Sequence, residues 1–266
     1  MPIGAALEEL ELSSPQVREL AEFYAESFSL HRSFRGANAL CTAPGRTLKL
    51  VPGDANRLVG AQFRFSSRPD FDAFTEHLSA SGISVAEKTG GVSVTDPEGH
   101  ILRFRYGTDQ NPANGDARLQ HFALRTPDPE TLVAYYADKL GFIVSDFVRD
   151  EEGVLRAAFL RTDDEHHALA IFRSAEARFD HFSCEVESWT ELRDWADRVC
   201  ANGITLAWGV GRHGPGNDTF FMVKDPDGNL AEISAELERC APERATGLWP
   251  HRPETLNRWG VAIMRS

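Results

Sequence analysis

The sequence predicts an α+β chain of two tandem modules, each a pair of strand, helix and hairpin units whose strands curl into one open barrel. Three observations lead there. LEELELSSPQVRELAEFYAESFSL from Leu7 and LQHFALRTPDPETLVAYYADKLGF from Leu119 align without a gap at an offset of 112 (7 to 119). AQFRFSSRPDFDAFTEHLSASGISV from Ala61 and FSCEVESWTELRDWADRVCANGITL from Phe182 align at an offset of 121 (61 to 182). Each half then closes in a turn and a strand, TDPEGHILRFRY from Thr95 and KDPDGNLAEISA from Lys224.

The first segment alternates like a strand, breaks at Ser13, Ser14 and Pro15, and takes helical spacing through Val17, Leu20, Ala21, Phe23 and Tyr24. Its copy repeats the alternation, the proline and an aromatic pair in the same helical turn. The second pair reads as strand then amphipathic helix, closed by Gly82 and by Gly203. Asp-Pro followed by glycine marks the tight reversal before each last strand. The stretch Asp109 to Ala117, DQNPANGDA, is rich in turn formers and separates the modules. The division expected is an N-terminal module over 1–110 without a metal site, a catalytic metal-binding module over 117–240, and a tail over 241–266. That tail has no clear periodicity and is expected to wrap over the barrel.

Composition narrows the partners. Lys and Arg number 28 against 40 Asp and Glu, a net charge of −12 with no long run of one sign, which argues against nucleic acid. No basic and apolar leader opens the chain, and no apolar run approaches the roughly 18 residues of a membrane span. Cys41, Cys184, Cys200 and Cys240 lie far apart without CxxC spacing, so reduced thiols in a cytoplasm are expected.

The two halves differ where chemistry could reside. His121 matches Glu9, His181 matches Gly60 and Glu232 matches Arg103, so only the second half carries a ligand set. Between the second-helix glycine and the DPxG turn the second half is also eight residues longer (22 against 14), and His213 lies in that excess. A lone strand histidine is ordinarily a core or surface residue. Three donors together, each absent from the other half, point instead to a divalent metal. Strand parity places His121 with Leu119 and Ala123, and Glu232 with Leu230 and Ser234, facing inward. Two imidazoles and a carboxylate suit Fe(II), or Mn(II), and leave positions open. His31, His77, His100 and His251 have no such support and read as surface or structural residues.

These residues resemble the extradiol ring-cleaving catechol dioxygenases of the vicinal oxygen chelate superfamily. The most specific likeness is GRHGPGNDTFFMVKDPDGNLAE from Gly211, in which GRH precedes the ligand glutamate by nineteen residues (213 to 232). The resemblance covers both halves and is specific in the second. It implies βαβββ units paired into open eight-stranded barrels, and Fe(II), occasionally Mn(II), on His121, His181 and Glu232. It also implies a strand histidine shortly before the second ligand as acid and base. His167, fourteen residues before His181, fits that role, with His166 on the opposite strand face. His213 resembles the histidine that hydrogen-bonds substrate oxygen, and Gly211, Gly214 and Gly216 would let backbone approach the ligand.

Met222 stands where that family usually has a tyrosine, beside Phe220 and Phe221, so substrate contacts there must differ. Trp208 occupies the neighbourhood of an arginine found in relatives that take carboxylated catechols, which favours a neutral or bulky ring. The substrate-facing set is therefore Trp208, Phe220, Met222 and His166, with His167 and His213 catalytic. The implied partners are an aromatic diol, O2 and a second copy of the chain. Two alternatives compete: a metal-dependent lyase or isomerase of the same superfamily, and an aromatic-binding module without catalysis. The first usually draws ligands from both halves, and Glu9, Gly60 and Arg103 argue against it.

Overall fold

The computed structural model of the chain describes residues 1–88, 90–108 and 117–264. The first half supplies β1 (Ala5–Ser14), α1 (Val17–Ser27), β2 (His31–Arg35), β3 (Asn38–Ala43), β4 (Arg46–Pro52), β5 (Arg57–Phe65), α2 (Arg68–Ala80), β6 (Ala86–Lys88), β7 (Gly91–Thr95) and β8 (Ile101–Tyr106). The second supplies β9 (Arg118–Thr126), α3 (Pro129–Ala134), β10 (Ile143–Arg149), β11 (Leu155–Arg161), β12 (Leu169–Arg173), β13 (Arg178–Val186), α4 (Trp189–Ala201), β14 (Leu206–Arg212), β15 (Thr219–Lys224) and β16 (Leu230–Ala235). The C-terminal segment adds β17 (Gly247–Pro250) and α5 (Pro253–Leu256).

The first sheet has eight strands in the order β2-β3-β4-β1-β5-β8-β7-β6, and the second has nine, β14-β15-β16-β13-β9-β12-β11-β10-β17. Each consists of two βαβββ units joined through an antiparallel central pair, β1 with β5 and β9 with β13. The α+β class and the open sheets follow the sequence reading. The ninth strand does not: the tail adds β17 in parallel to β10, from Asp146 against Gly247 to Arg149 against Pro250. Of the expected boundary Asp109 to Ala117, residues 109–116 lie outside the described residues. No helix among the described residues is long and apolar enough to cross a membrane. All four cysteines are free, with Cys200 exposed.

Local signals account for the helix ends. Ser188 and Glu191 form a reciprocal capping box at the start of α4. Gly82 and Gly203 follow their helices with φ of +68° and +78°, a region that costs residues with a Cβ. The helical spacing after Asp128 predicts an uninterrupted α-helix, but α3 widens into a π turn over Tyr135–Lys139. The wider turn lets Tyr135 reach the Thr95 carbonyl at 3.0 Å while Tyr136 reaches the Asp96 carboxylate at 3.0 Å.

That second contact has a mirror image. Tyr24 on α1 donates to Asp225 Oδ2 at 2.6 Å, so the helix tyrosine of each half binds the DPxG aspartate of the other. Buried apolar residues of both halves form one continuous core, in which Phe28 and Tyr24 meet Phe182 with ring centroids 5.9 and 5.5 Å apart. The two aspartates differ in one neighbour. Burial opposes ionisation of Asp96, but the His100 ring at 2.8 Å outweighs it and holds the carboxyl below 3.8. Asp225 has only neutral donors, Tyr24 and Asn229, so burial prevails and its pKa rises.

The Tyr24→Phe change is expected to cost about 1–3 kcal/mol in urea unfolding, the range for leaving a buried acceptor short of a donor. Asp96→Asn should destabilise in a pH-dependent manner. A carboxyl whose folded pKa is depressed contributes stability above its unfolded value and loses it as pH falls through the folded value. The gap in urea midpoint between Asp96→Asn and the parent should therefore be full at neutral pH and close below 3.8.

Candidate metal centre

β9 and β13 each carry a β-bulge one residue before a histidine. His121 faces Ser183 while Leu119 faces Cys184, which leaves Gln120 unpaired; His181 faces Ala123 while Phe179 faces Leu124, which leaves Asp180 unpaired. A bulge breaks the two-residue alternation. Leu119 therefore enters the core, whereas His121 and Arg125 line a cavity. Parity alone had grouped Leu119 with His121, and the bulge at Gln120 separates them.

The bulged residues also set the histidine tautomers. Gln120 Oε1 accepts from His121 Nδ1, while the Gln120 amide nitrogen donates to the His167 carbonyl at 2.6 Å and to Glu165 at 3.2 Å, which fixes the amide orientation. Asp180 Oδ2 accepts from His181 Nδ1 at 2.8 Å, and its other oxygen accepts from Arg125 Nε at 2.7 Å. Each ring thus directs an Nδ1 hydrogen at an oxygen, which leaves Nε2 as the atom free to bind a metal. The two Nε2 atoms stand 3.2 Å apart, and Glu232 Oε1 lies 3.8 Å from that of His121.

Glu232 is fully buried and neither carboxylate oxygen has a hydrogen-bond partner. Burial opposes its ionisation, but His213 and the two ligand imidazoles outweigh that and hold its pKa at about 2. Burial drives His121 down to about 3 despite Glu232. An ionised carboxylate therefore faces two imidazole lone pairs, an arrangement that a cation would satisfy. The donor atoms of His121, His181 and Glu232 lie within 4.8 Å of one another, and N2O sets of this kind suit Fe(II) or Mn(II). The residues fit the metal.

The cavity beside this triad is lined by Val148, Ala157, Phe159, Ala170, Phe172 and Met222, with His167, Trp208 and His213 also on its wall. The His167 ring centroid lies 4.3 Å from that of His121 with the planes tilted by 46°, and burial with the neighbouring imidazoles pushes its pKa well below the ordinary value. His213 lies flat on Phe220 at 3.8 Å and donates from Nδ1 to the Leu256 carbonyl at 2.6 Å. Its pKa is raised: burial works downward, but Asp218 and Glu232 outweigh it.

Several expectations are corrected. His166 is not on the cavity wall; it is fully buried behind His167, and both sit in the loop between β11 and β12 instead of on opposite faces of a strand. Phe220 likewise stands behind His213, off the wall. Gly214 and Gly216 admit protein, not ligand: a Cβ at 214 would meet Thr255 O at 2.8 Å, and one at 216 would meet His166 Nδ1 at 3.1 Å. His251 is not remote but lines the cavity with Thr255, Leu256 and Ile263 from the tail. Sequence reasoning missed Gln120, Asp180, Arg125, Asp146 and Asp218. Only the adjacency of Gln120 and Asp180 to ligands could have signalled them.

The first half keeps the frame without the centre. Bulges fall at Glu8 and Val59, the equivalents of Gln120 and Asp180. Glu9 pairs with Lys49 at 2.6 Å, Arg103 pairs with Glu11 at 2.8 Å, and a Cβ on Gly60 would meet Arg103 Nη1 at 2.9 Å. Where the second half gathers donors, the first half lays a guanidinium.

The chain is similar to several known proteins. Metapyrocatechase 2 of Cupriavidus necator is 27% identical over 250 residues, covering 81% of this chain and 76% of that protein. Biphenyl-2,3-diol 1,2-dioxygenase of Paraburkholderia xenovorans is 28% identical over 203 residues, covering 66% and 68%. Among solved structures, the Mn(II)-bound glyoxalase from Novosphingobium aromaticivorans superposes with a TM-score of 0.82 at 25% identity, covering 97% of this chain and 91% of that one. A family model described as the Glyoxalase/Bleomycin resistance protein/Dioxygenase superfamily matches residues 118–233, a span that includes the whole triad.

Proposed function

We propose that the chain is a non-haem Fe(II)-dependent extradiol dioxygenase, with Mn(II) as the alternative metal, that inserts both atoms of O2 into a catechol-type ring and opens it. One observation carries this reading: two imidazole lone pairs and an ionised, unpartnered carboxylate converge beside an apolar cavity that also holds a neutral histidine. The metal, when bound, supplies a common point at which the diol oxygens and O2 meet.

The protein's own residues do the rest. Phe159, Phe172 and Met222 line the cavity with apolar surface that suits a flat ring and disfavours water beside the triad. His167, neutral through burial, takes a proton from the diol as it binds and returns it as the ring opens. His213 keeps its hydrogen on Nδ1 toward Leu256 and turns Nε2 toward Glu232, so that a protonated ring would face developing negative charge on oxygen. Cleavage next to the two hydroxyls gives a yellow semialdehyde or related acid. Met222, a thioether that cannot donate a hydrogen bond, and Trp208 favour a neutral, apolar ring substituent.

We further propose that residues 117–240 are the catalytic module and 1–110 its metal-free partner, and that the protein is a cytoplasmic homo-oligomer. Exposed edge strand β2 offers unpaired backbone for such association, which sedimentation would test.

Anaerobically Fe(II)-loaded protein is expected to consume O2 and form yellow product with part of a panel of ring-substituted catechols; metal binding without O2 uptake on any of them would sink the oxygenase reading in favour of a non-redox superfamily reaction. Asp180→Ala should weaken metal affinity roughly 10–100-fold, since it frees the His181 ring that the carboxylate orients. Metal at about 100 times its Kd should stabilise the parent by about 2.7 kcal/mol in thermal unfolding, and Glu232→Ala should abolish that shift.

A further inference from the structure

Behind the cavity wall lies a chain of buried polar contacts that the reading above does not use. His166 Nδ1 stands 3.0 Å from His167 Nδ1, and His166 Nε2 stands 2.9 Å from Asp146 Oδ2. Asp146 also receives Trp249 Nε1 at 2.7 Å, Arg244 Nη2 at 3.0 Å and the Gly247 amide at 3.2 Å. Asp146 and His166 are fully buried, His167 very nearly so.

Donor and acceptor counting orients the chain. Three groups donate to Asp146, so it is an acceptor. Burial opposes its ionisation, but His166, Arg244 and Trp249 outweigh this and its pKa is lowered. The fourth contact, from His166 Nε2, must then also donate. Arg244 is shared between Asp146 and Glu238, and a neutral His166 completes the set of donors on Asp146 without burying a further cation. A neutral His166 with hydrogen on Nε2 presents a lone pair on Nδ1. His167 must therefore donate from its own Nδ1, which leaves Nε2 as its bare nitrogen for the cavity. Gly216 is part of the arrangement, since a Cβ there would press on His166 Nδ1 at 3.1 Å.

We propose that His166 and Asp146 are positioning residues that hold His167 in the tautomer with hydrogen on Nδ1 and a lone pair on Nε2, the form able to take a diol proton. The inference rests on the proposed role of His167 for its functional meaning, but the tautomer itself does not. When Nε2 takes the proton, the Nδ1 hydrogen stays on His167 and the charge is met by the Nδ1 lone pair of His166, whose own hydrogen stays on Nε2, donated to Asp146. No proton leaves the chain of contacts.

The test uses the full chain with 15N-labelled histidine, metal-free, read by long-range proton–nitrogen correlation of the imidazoles. Loss of one ring pattern in His167→Gln assigns His167 among the nine histidines. The expected result is a protonated Nδ1 and bare Nε2 on His167 in the parent, and a shift toward the other tautomer in His166→Phe. In the Fe(II)-loaded protein His166→Phe should lower kcat on the best catechol roughly 10²-fold with little change in KM, the size of a lost general-base contribution. His166→Gln, which loses the ring but keeps an acceptor oxygen, should recover at least about tenfold of that loss. A packing role would give the reverse order, with phenylalanine the milder change, and would overturn the proposal. So would a parent His167 with hydrogen on Nε2, whatever the activity. If His166→Phe does not fold, the parent spectrum still decides. The expected tautomer in a protein that opens no catechol would sustain this inference and remove the dioxygenase reading; the opposite tautomer in an active enzyme would do the reverse.

Discussion

A buried carboxylate opposite two imidazole lone pairs is the constraint around which the second half is built. Glu232 has no hydrogen bond, and the nearest nitrogens, 3.8 Å away on His121 and His213, are too far to supply one. A charge in that position is tolerable only where a cation completes it. The surrounding structure serves to keep the three donors fixed until it does. Bulges at Gln120 and Asp180 place a side-chain oxygen against each Nδ1, so neither ring can turn its hydrogen toward the other.

Duplication supplies the rigidity. The strand that carries Glu232 begins just after the DPxG turn whose aspartate, Asp225, is clamped by Tyr24 from the first half. The first half receives the same clamp from Tyr136 and yet holds Arg103 and Gly60 where donors would be. Its bulges at Glu8 and Val59 show that the frame is independent of the metal. The first half therefore acts on the centre as a support for the turn before β16, through a shared core and a reciprocal hydrogen bond.

The repeat, the α+β class and the convergence of His121, His181 and Glu232 were all legible because a duplicated chain provides its own comparison. Glu9, Gly60 and Arg103 reveal what is special about their partners without any other sequence. What stayed hidden depends on breaks in regularity. Alternation is the tool for reading a strand, and a single bulged residue reverses it, so Leu119 was grouped wrongly with His121. The loop that holds His166 and His167 has no period at all, and parity had no meaning there. Tail residues could not be placed either: β17 exists because Asp146 gathers Arg244, Gly247 and Trp249, a meeting of residues about a hundred positions apart (146 and 247 differ by 101).

The order of the parts along the chain has a consequence for assembly. A ribosome has made every metal donor once it has passed Glu232, but Arg244, Trp249 and the Leu256 carbonyl, which hold Asp146 and His213, are still to come. Vectorial synthesis delivers the three converging donors ahead of the groups that hold Asp146 and His213. A nascent chain halted between the two has the three donors without the tail contacts on Asp146 and His213, and the last stretch of polypeptide to dock is the one that fixes the cavity wall.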